Sequence, residues 1–169
     1  PCCSWSYRKA SCPATTPAPA VLVAHGFGGT KASVDADARA LVARGFVVQT
    51  WSARGFGASD GRISLDAPEF EVADARALVD RLATRPEVVQ DGPGDPRVGV
   101  VGGSYGGGLA LLLAGYDQRV DAVIPQSSFD LEGLAAHRER FPVPVLVSGP
   151  DTIHRSNDKA ETYALLHRL

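Results

Sequence analysis

The sequence VVGGSYGGGLALLLAG (Val100–Gly115) joins a run of valines to a run of leucines through glycines and a single serine. A short valine run is typical of a buried strand, and the leucine run after it is typical of a helix. Glycines at this junction permit a tight strand-to-helix turn on packing grounds alone. The same turn can hold Ser104 above a sheet as a nucleophile, because Gly102–Gly106 fits the pattern G-x-S-x-G. The remaining sequence is needed to distinguish a purely structural role of this turn from a catalytic one.

Composition places few limits on the function. The chain has 169 residues, of which 44% are hydrophobic and 21% charged, as in an ordinary soluble globular domain. A formal net charge of -2 gives no electrostatic reason to expect a nucleic acid or an anionic membrane as a partner. No apolar run is long enough for a membrane span. Composition does not separate a cytoplasmic from a secreted protein, and it leaves the oligomeric state open.

The first twenty residues differ from the rest. Pro1–Ala20 is rich in Pro, Ala and Thr and is interpreted as a tail or linker with at most a short extended stretch. Methionine is absent, so we expect that Pro1 is not the translational start. A bridge from Cys2 or Cys3 to Cys12 would fit an oxidising compartment, but we expect these cysteines to have no role in the main activity.

Residues 21–169 alternate strand-like and helix-like segments. We predict strands at Ala20–Ala24, Phe46–Trp51, Arg97–Gly103, Val120–Ser127 and Phe141–Gly149. We predict helices over Ala32–Arg44 with a stop at Gly45, after Asp66 and Pro68, over Ser104–Ala114, and from Asn157 or Asp158 to Leu169. Such alternation predicts an α/β fold with a mostly parallel sheet and helices on both faces. Ligands of such sheets bind beyond the carboxyl ends of the strands.

Two of the loops at this edge carry groups suited to acyl transfer. Beside Ser104, the Tyr105 backbone N–H stands at a helix N-terminus, where it can face a developing oxyanion. A second donor has to come from the loop of a neighbouring strand, and the Phe27 N–H in His25–Gly29 is the candidate. His25 itself is interpreted as a structural residue that holds its loop by hydrogen bonds, rather than as a general base.

The other loops supply a candidate acid. Asp151 follows the fifth predicted strand, where a carboxylate would orient a catalytic imidazole. Asp130, after the fourth predicted strand, is a rival for this role. Arg54 and Asp60, in the glycine loop after the second predicted strand, are interpreted as residues that shape their loop.

These motifs resemble the α/β-hydrolases, and more narrowly the X-prolyl dipeptidyl peptidase and cocaine esterase-like hydrolases. The resemblance spans Val21–Leu166 and rests on VLVAHGFGGTK, WSARGFGASDG, VGVVGGSYGGGLALLLA and VPVLVSGPDTIHRSNDKAETYALL. It implies hydrolysis of ester or amide bonds, including X-prolyl peptide bonds, through an acyl-enzyme on a serine. The implied partner is a small-molecule ester or peptide substrate, and no cofactor or metal is expected.

Carried over to this chain, the resemblance makes Ser104 the nucleophile and Asp151 the triad acid, with oxyanion donors at Tyr105 and Phe27. Three departures accompany it. The family has strands before the first one predicted here, and it has a longer lid than the dozen residues DLEGLAAHRERF. Its triad histidine follows a further strand beyond the final helix, whereas this sequence stops at Leu169.

The histidine is therefore the open element of the site. His154 lies three residues past Asp151 and is a weak candidate, while His137 and His167 are weaker. The alternative to a working hydrolase is a binding module or pseudoenzyme that lacks the base. A phosphate-binding α/β domain that uses the glycine turn is a third interpretation, but the Lys-Ser/Thr of a P-loop is missing.

Overall fold

The structure, a computed structural model, describes residues 4–8, 16–126 and 144. The strands are β1 Ser4–Arg8, β2 Ala20–Ala24, β3 Val47–Ser52, β4 Gln90–Gly92, β5 Asp95–Pro96, β6 Val98–Gly103 and β7 Val120–Gln126. The helices are α1 Asp35–Ala43, α2 Ala73–Ala83 and α3 Tyr105–Tyr116, and a π-helical turn, Pro68–Val72, leads into α2.

A mixed five-stranded sheet with the order β1-β3-β2-β6-β7 forms the centre of the described chain. β2 pairs in parallel with β3 and β6, and β6 pairs in parallel with β7. Only β1, at one edge, is antiparallel to its neighbour β3. The predicted mostly parallel sheet is therefore confirmed. The carboxyl ends of β2, β3, β6 and β7 lie along one edge, which is where the candidate site residues of the described chain were expected.

Helices cover both faces of this sheet. Alternate side chains of β2 separate into two hydrophobic clusters, because successive residues of a strand point to opposite faces. Val21 and Val23 pack with Ala38 of α1 on one face. Ala20, Leu22 and Ala24 pack on the other face with residues of α2 and α3. The sequence places apolar residues at helical spacing in α2 and the turn before it, and these residues are buried, namely Val72, Ala75, Leu78, Val79 and Leu82.

Helix ends follow local sequence signals. Gly45 has a φ of +94° and ends α1, as predicted, since this backbone conformation suits a residue without a Cβ. Pro68 begins the π-helical turn with Ala67 as its N-cap residue. Asp66 therefore does not cap the helix that the sequence placed after it; its side chain is buried against other elements.

Two segments differ from the sequence-based expectation. Ser4–Arg8 was placed in a tail with at most an extended stretch, and it forms the edge strand β1. Its alternation of serine with tryptophan and tyrosine suits a strand, but pairing with β3 is a long-range contact that local pattern does not reveal. The loop predicted before β6 contains the short antiparallel pair of β4 and β5.

The fifth predicted strand and the final predicted helix lie outside the described residues, apart from Pro144. The Pro144 carbonyl accepts a hydrogen bond of 3.1 Å from the Val123 N–H of β7. Among the residues that the structure describes, no helix combines the length and apolarity needed to cross a membrane.

Candidate active site

Ser104 occupies a strained turn between β6 and α3. Its φ of 52° and ψ of -118° lie outside the conformations that residues with a Cβ ordinarily adopt. The Ser104 N–H donates a 2.7 Å hydrogen bond to the Gln126 carbonyl at the end of β7, and its own carbonyl accepts from the Gly107 and Gly108 N–H groups. The Ser104 side chain makes no capping hydrogen bond to α3. The hydroxyl is thus not used to close the helix that follows it.

Two glycines make this turn possible by close approach of backbones. A Cβ on Gly102 would lie 2.1 Å from the Gly106 carbonyl oxygen. A Cβ on Gly106 would lie 2.7 Å from the His25 carbonyl oxygen and 2.8 Å from that of Ala24. Distances below 3.0 Å to backbone atoms leave no room for a side chain. These two positions are the first and last glycines of the G-x-S-x-G pattern. The packing of α3 against the sheet and the exposure of Ser104 both depend on their lack of a side chain.

The loop after β2 lies directly beside the serine. A Cβ on Gly26 would be 3.8 Å from the Ser104 Cβ. This contact brings the Phe27 backbone, the predicted second oxyanion donor, next to the turn that carries Tyr105. Within residues 16–126, no backbone N–H hydrogen bond of Phe27 or Tyr105 is formed to another protein group. Both amides are thus free of protein partners in that part of the chain.

His25 holds the two neighbouring loops together. The Ala53 N–H donates a 3.0 Å hydrogen bond to Nε2 of His25, and Nδ1 lies 2.8 Å from the Gly26 carbonyl oxygen. Because Nε2 accepts, the proton of the neutral ring lies on Nδ1 and is donated to Gly26. Burial lowers the pKa of His25, while the hydrogen bond to Gly26 acts in the opposite direction. Both ring nitrogens are occupied, which agrees with the predicted structural role.

Aromatic rings form one wall beside the serine. Phe27 packs edge-on against Phe56, at 5.3 Å between ring centroids, and against Tyr105, at 5.8 Å. Phe56 also contacts Tyr105 and His25. Phe27 nevertheless remains 62% exposed, whereas Phe56 is buried. The two residues whose N–H groups are the candidate oxyanion donors are therefore in direct side-chain contact.

The glycine loop after β3 is tied to α2. Two of the three guanidinium nitrogens of Arg54, Nε and Nη2, each lie 2.7 Å from a carboxylate oxygen of Asp74. The guanidinium also lies over the ring of Phe70, with 5.1 Å between its carbon and the ring centroid. The Asp60 carbonyl accepts a 3.1 Å hydrogen bond from the Gly55 N–H, so this residue closes the loop through its backbone. Both contacts are consistent with the loop-shaping roles predicted from the sequence.

Sequence reasoning missed the position of Asp66. Its carboxyl is buried next to the first turn of α3, because a Cβ on Gly108 would lie 3.0 Å from Oδ2 of Asp66. The sequence marked this residue only as part of a helix start. Its burial depends on a helix that begins some forty residues later, and no local signal carries that information.

Several sequence-predicted residues lie outside the described residues. These are the candidate acids Asp151 and Asp130, the histidines His137, His154 and His167, and the three cysteines. Among the side chains of the described ranges, no group of three His, Cys, Asp or Glu residues is placed to hold a metal ion.

Comparison with known proteins identifies the family. A family model described as the alpha/beta hydrolase fold matches residues 19–152. The chain belongs to the α/β hydrolase family. The fold class and the resemblance to the α/β-hydrolases predicted from the sequence are thereby confirmed.

Proteins similar to this α/β hydrolase include a quorum-quenching protein and an acetyl xylan esterase. The chain is 32% identical over 149 residues to the quorum-quenching protein AidA of Acinetobacter baumannii, with 86% of this chain and 45% of AidA covered. Acetyl xylan esterase 1 from Thermoanaerobacterium sp. has a similar structure, with a TM-score of 0.58, 26% identity, and coverage of 80% of this chain and 47% of the esterase. Est1E from Butyrivibrio proteoclasticus, solved with ferulic acid, shares the fold at a TM-score of 0.64 and 20% identity, with coverage of 88% and 57%.

The chain spans less than half of the curated relatives it matches, 45% of AidA and 37% of an uncharacterized 31.7 kDa protein of Escherichia coli.

Proposed function

We propose that this α/β hydrolase cleaves ester bonds of small molecules through an acyl-enzyme on Ser104. The observation that carries the proposal is the strained turn at Ser104, which has a φ of 52° and lies beside the loop that carries Phe27. The Ser104 hydroxyl makes no capping hydrogen bond to α3. Strain of this kind persists where surrounding structure enforces it, and here Gly102 and Gly106 do so through backbone contacts.

In the first step, the Ser104 Oγ bonds to the substrate carbonyl carbon while its proton passes to an imidazole. The carbonyl oxygen becomes an oxyanion, which accepts hydrogen bonds from the Tyr105 and Phe27 N–H groups. Collapse of this intermediate breaks the bond to the leaving alcohol, which takes the proton from the imidazole. Water then attacks the acyl-enzyme in the same manner, and the acid and free Ser104 are released.

The base in this proposal lies outside residues 16–126. His25 is the histidine of that range, and it uses both ring nitrogens to hold its loops. Asp151 is proposed as the acid that orients the imidazole. His154 is the candidate for the imidazole, followed by His137 and His167.

Esters are favoured over peptides as substrates. Support comes from the similarity to acetyl xylan esterase 1, at 26% identity. X-prolyl peptide bonds remain the second candidate class, on the sequence resemblance alone. Hydrolysis assays with an ester, 4-nitrophenyl acetate, and an X-prolyl substrate, glycyl-prolyl 4-nitroanilide, distinguish the two substrate classes. We expect the chain to hydrolyse the ester.

Labelling with a fluorescent fluorophosphonate tests the nucleophile. We expect the wild-type chain to be labelled at Ser104, located by mass spectrometry of the peptides, and Ser104→Ala to be unlabelled. Hydrolysis of 4-nitrophenyl acetate should fall by about 10³-fold or more in the same variant. Ser33→Ala is the matched control, since this serine lies in the neighbouring loop and its hydrogen bonds within residues 16–126 are local ones to Thr30.

The outcome also separates the enzyme from the alternative of a binding module without a base. Circular dichroism establishes that each variant is folded. If the folded wild-type chain shows no labelling that depends on Ser104, the proposed hydrolase mechanism is wrong for this chain.

A further inference from the structure

A pair of residues in the loop before α2 adopts a rare conformation. Leu65 and Asp66 have φ values of 53° and 62°, and neither is a glycine. The two side chains then point to opposite environments. Leu65 is 73% exposed, whereas Asp66 is 9% exposed. A polar residue buried at the expense of backbone strain calls for a physical reason.

The conformation is held from both sides by one carboxylate. Glu71 is buried, and its Oε1 accepts a 2.6 Å hydrogen bond from the Ser64 N–H. Its Oε2 accepts a 3.1 Å hydrogen bond from the Ala67 N–H. These donors directly precede and follow the left-handed pair, so the position of Asp66 is fixed rather than adaptable.

The Asp66 carboxyl faces the first turn of α3. Oδ2 approaches Gly108, where a Cβ would be only 3.0 Å away. Tyr105 opens this turn of α3, and its hydroxyl lies close enough to the carboxyl to act on the pKa of Asp66. Oδ1 of Asp66 and Oη of Tyr105 are both buried, and neither has a hydrogen-bond partner of good geometry. Buried polar groups normally have hydrogen-bond partners, and this carboxyl and this phenol are neighbours that can supply each other's partner.

We propose that Asp66 is a positioning residue for the Ser104 site, which orients the Tyr105 side chain and thereby the two proposed oxyanion donors. The ring of Tyr105 contacts Phe27 directly and also packs on Phe56. A substitution at Asp66 that moves the Tyr105 ring would therefore also displace Phe27, and with these two residues the two proposed oxyanion donors. This inference rests on the proposed hydrolase function.

The charge of the pair changes near neutral pH. Burial raises the pKa of Asp66 to about 7; the neighbouring Tyr105 hydroxyl, as a donor to the ionised form, lowers this pKa, and the charge of Glu71 raises it. Burial and the two nearby carboxylates raise the pKa of Tyr105, so its hydroxyl stays protonated. Tyr105 and Glu71 are the titratable groups that face Asp66 in the described chain. Above neutral pH, the ionised carboxylate accepts a stronger hydrogen bond from Tyr105 than the neutral acid does.

The first measurement is the carboxyl titration itself, followed by ¹³C NMR of protein labelled at aspartate. We expect a wild-type Asp66 midpoint near 7, and a higher midpoint in Tyr105→Phe because the donor to the ionised form is removed. An unchanged midpoint in Tyr105→Phe would mean that the two groups do not interact, and the proposal would fail. This measurement requires no catalysis.

The second measurement is the rate of fluorophosphonate labelling of Ser104 between pH 5.5 and 8.5. We expect Asp66→Asn and Tyr105→Phe each to slow labelling about 5- to 20-fold at pH 8, corresponding to roughly 1–2 kcal/mol. The double variant should be no slower than the slower single variant, and both singles should lose one pH-dependent component with a midpoint near 7. Asp60→Asn, in the same loop but exposed, should stay within about 2-fold of the wild type.

The possible failures are distinguishable. If losses in the two single variants multiply in the double variant, Asp66 and Tyr105 act independently and the inference is wrong. If wild-type Ser104 is never labelled, the proposed function fails, while NMR still decides whether the pair exists. If Asp66→Asn does not fold, Tyr105→Phe carries both measurements.

Discussion

Replacing Gly106 by alanine tests the close approach that creates the turn at Ser104. The new Cβ would lie 2.7 Å from the His25 carbonyl oxygen and 2.8 Å from that of Ala24. These atoms belong to the end of β2 and the loop after it, and β2 is paired on both sides by β3 and β6. The obstructing atoms are therefore backbone in the centre of the sheet, which cannot rotate away as a side chain could.

The same substitution at Gly115 provides a control in the same helix. A Cβ there would meet no atom within 4 Å. Alanine is favoured over glycine in a helix by about 0.5–1 kcal/mol, so we expect Gly115→Ala to raise the free energy of unfolding by that amount. Overpacking at Gly106 should lower it by about 1–3 kcal/mol, even after the same gain in helix propensity.

Urea and thermal unfolding, followed by circular dichroism, measure this difference. For a chain of this size, about 2–4 °C of melting temperature corresponds to each kcal/mol, so the two variants should differ by at least about 3 °C. Gly106→Ala should also slow fluorophosphonate labelling of Ser104, whereas Gly115→Ala should not. Equal stability of the two variants would refute the reasoning, because it would show that β2 and α3 can separate without cost.

Two further substitutions examine the loops around the site. Arg54→Lys should lower the free energy of unfolding by about 1–2 kcal/mol, since lysine cannot make the paired hydrogen bonds to Asp74; the exposed Arg39→Lys should change it by less than about 0.5 kcal/mol in the same urea titration. His25→Leu should lower it by about 1–3 kcal/mol at pH 7 by leaving the Ala53 N–H without a partner. Because the folded pKa of His25 is lowered, its contribution is full above the unfolded value of 6.5 and is lost as the pH falls below it. The decrease in the free energy of unfolding between pH 7 and pH 5 should consequently be smaller in His25→Leu than in the wild type. An equal decrease in both proteins would contradict the neutral state inferred for the His25 ring.

The parallel core of the fold could be predicted because its signals are local. Ala20–Ala24 is wholly apolar, as burial on both faces of a sheet requires, and the structure places β2 over the same residues. The stripe from Val72 to Leu82 has helical spacing, and it is buried as expected. Strand β1 could not be predicted in the same way, since its place at the sheet edge depends on β3, more than forty residues away.

The site shows the same division between local and distant information. The turn at Ser104 is determined by residues within two positions of it, so G-x-S-x-G was sufficient to predict its backbone. The neighbourhood of Phe27 and Tyr105 was expected because loops after parallel strands lie at one edge of a sheet, and the structure pairs β2 with β6. The burial of Asp66 did not, because it results from contact between a loop and a helix whose sequences carry no sign of each other.

The hydrogen bond from the Ser104 N–H to the Gln126 carbonyl has an evolutionary consequence. β7 ends at Gln126, so its last carbonyl is in direct contact with the backbone of the proposed nucleophile. Insertions or deletions just after Gln126 would begin next to the serine turn and would leave the registers of β2, β3, β6 and β7 unaltered. Divergence of substrate preference among relatives can therefore proceed by changes of length at this position, while the stability of the sheet and the geometry of the turn are inherited unchanged.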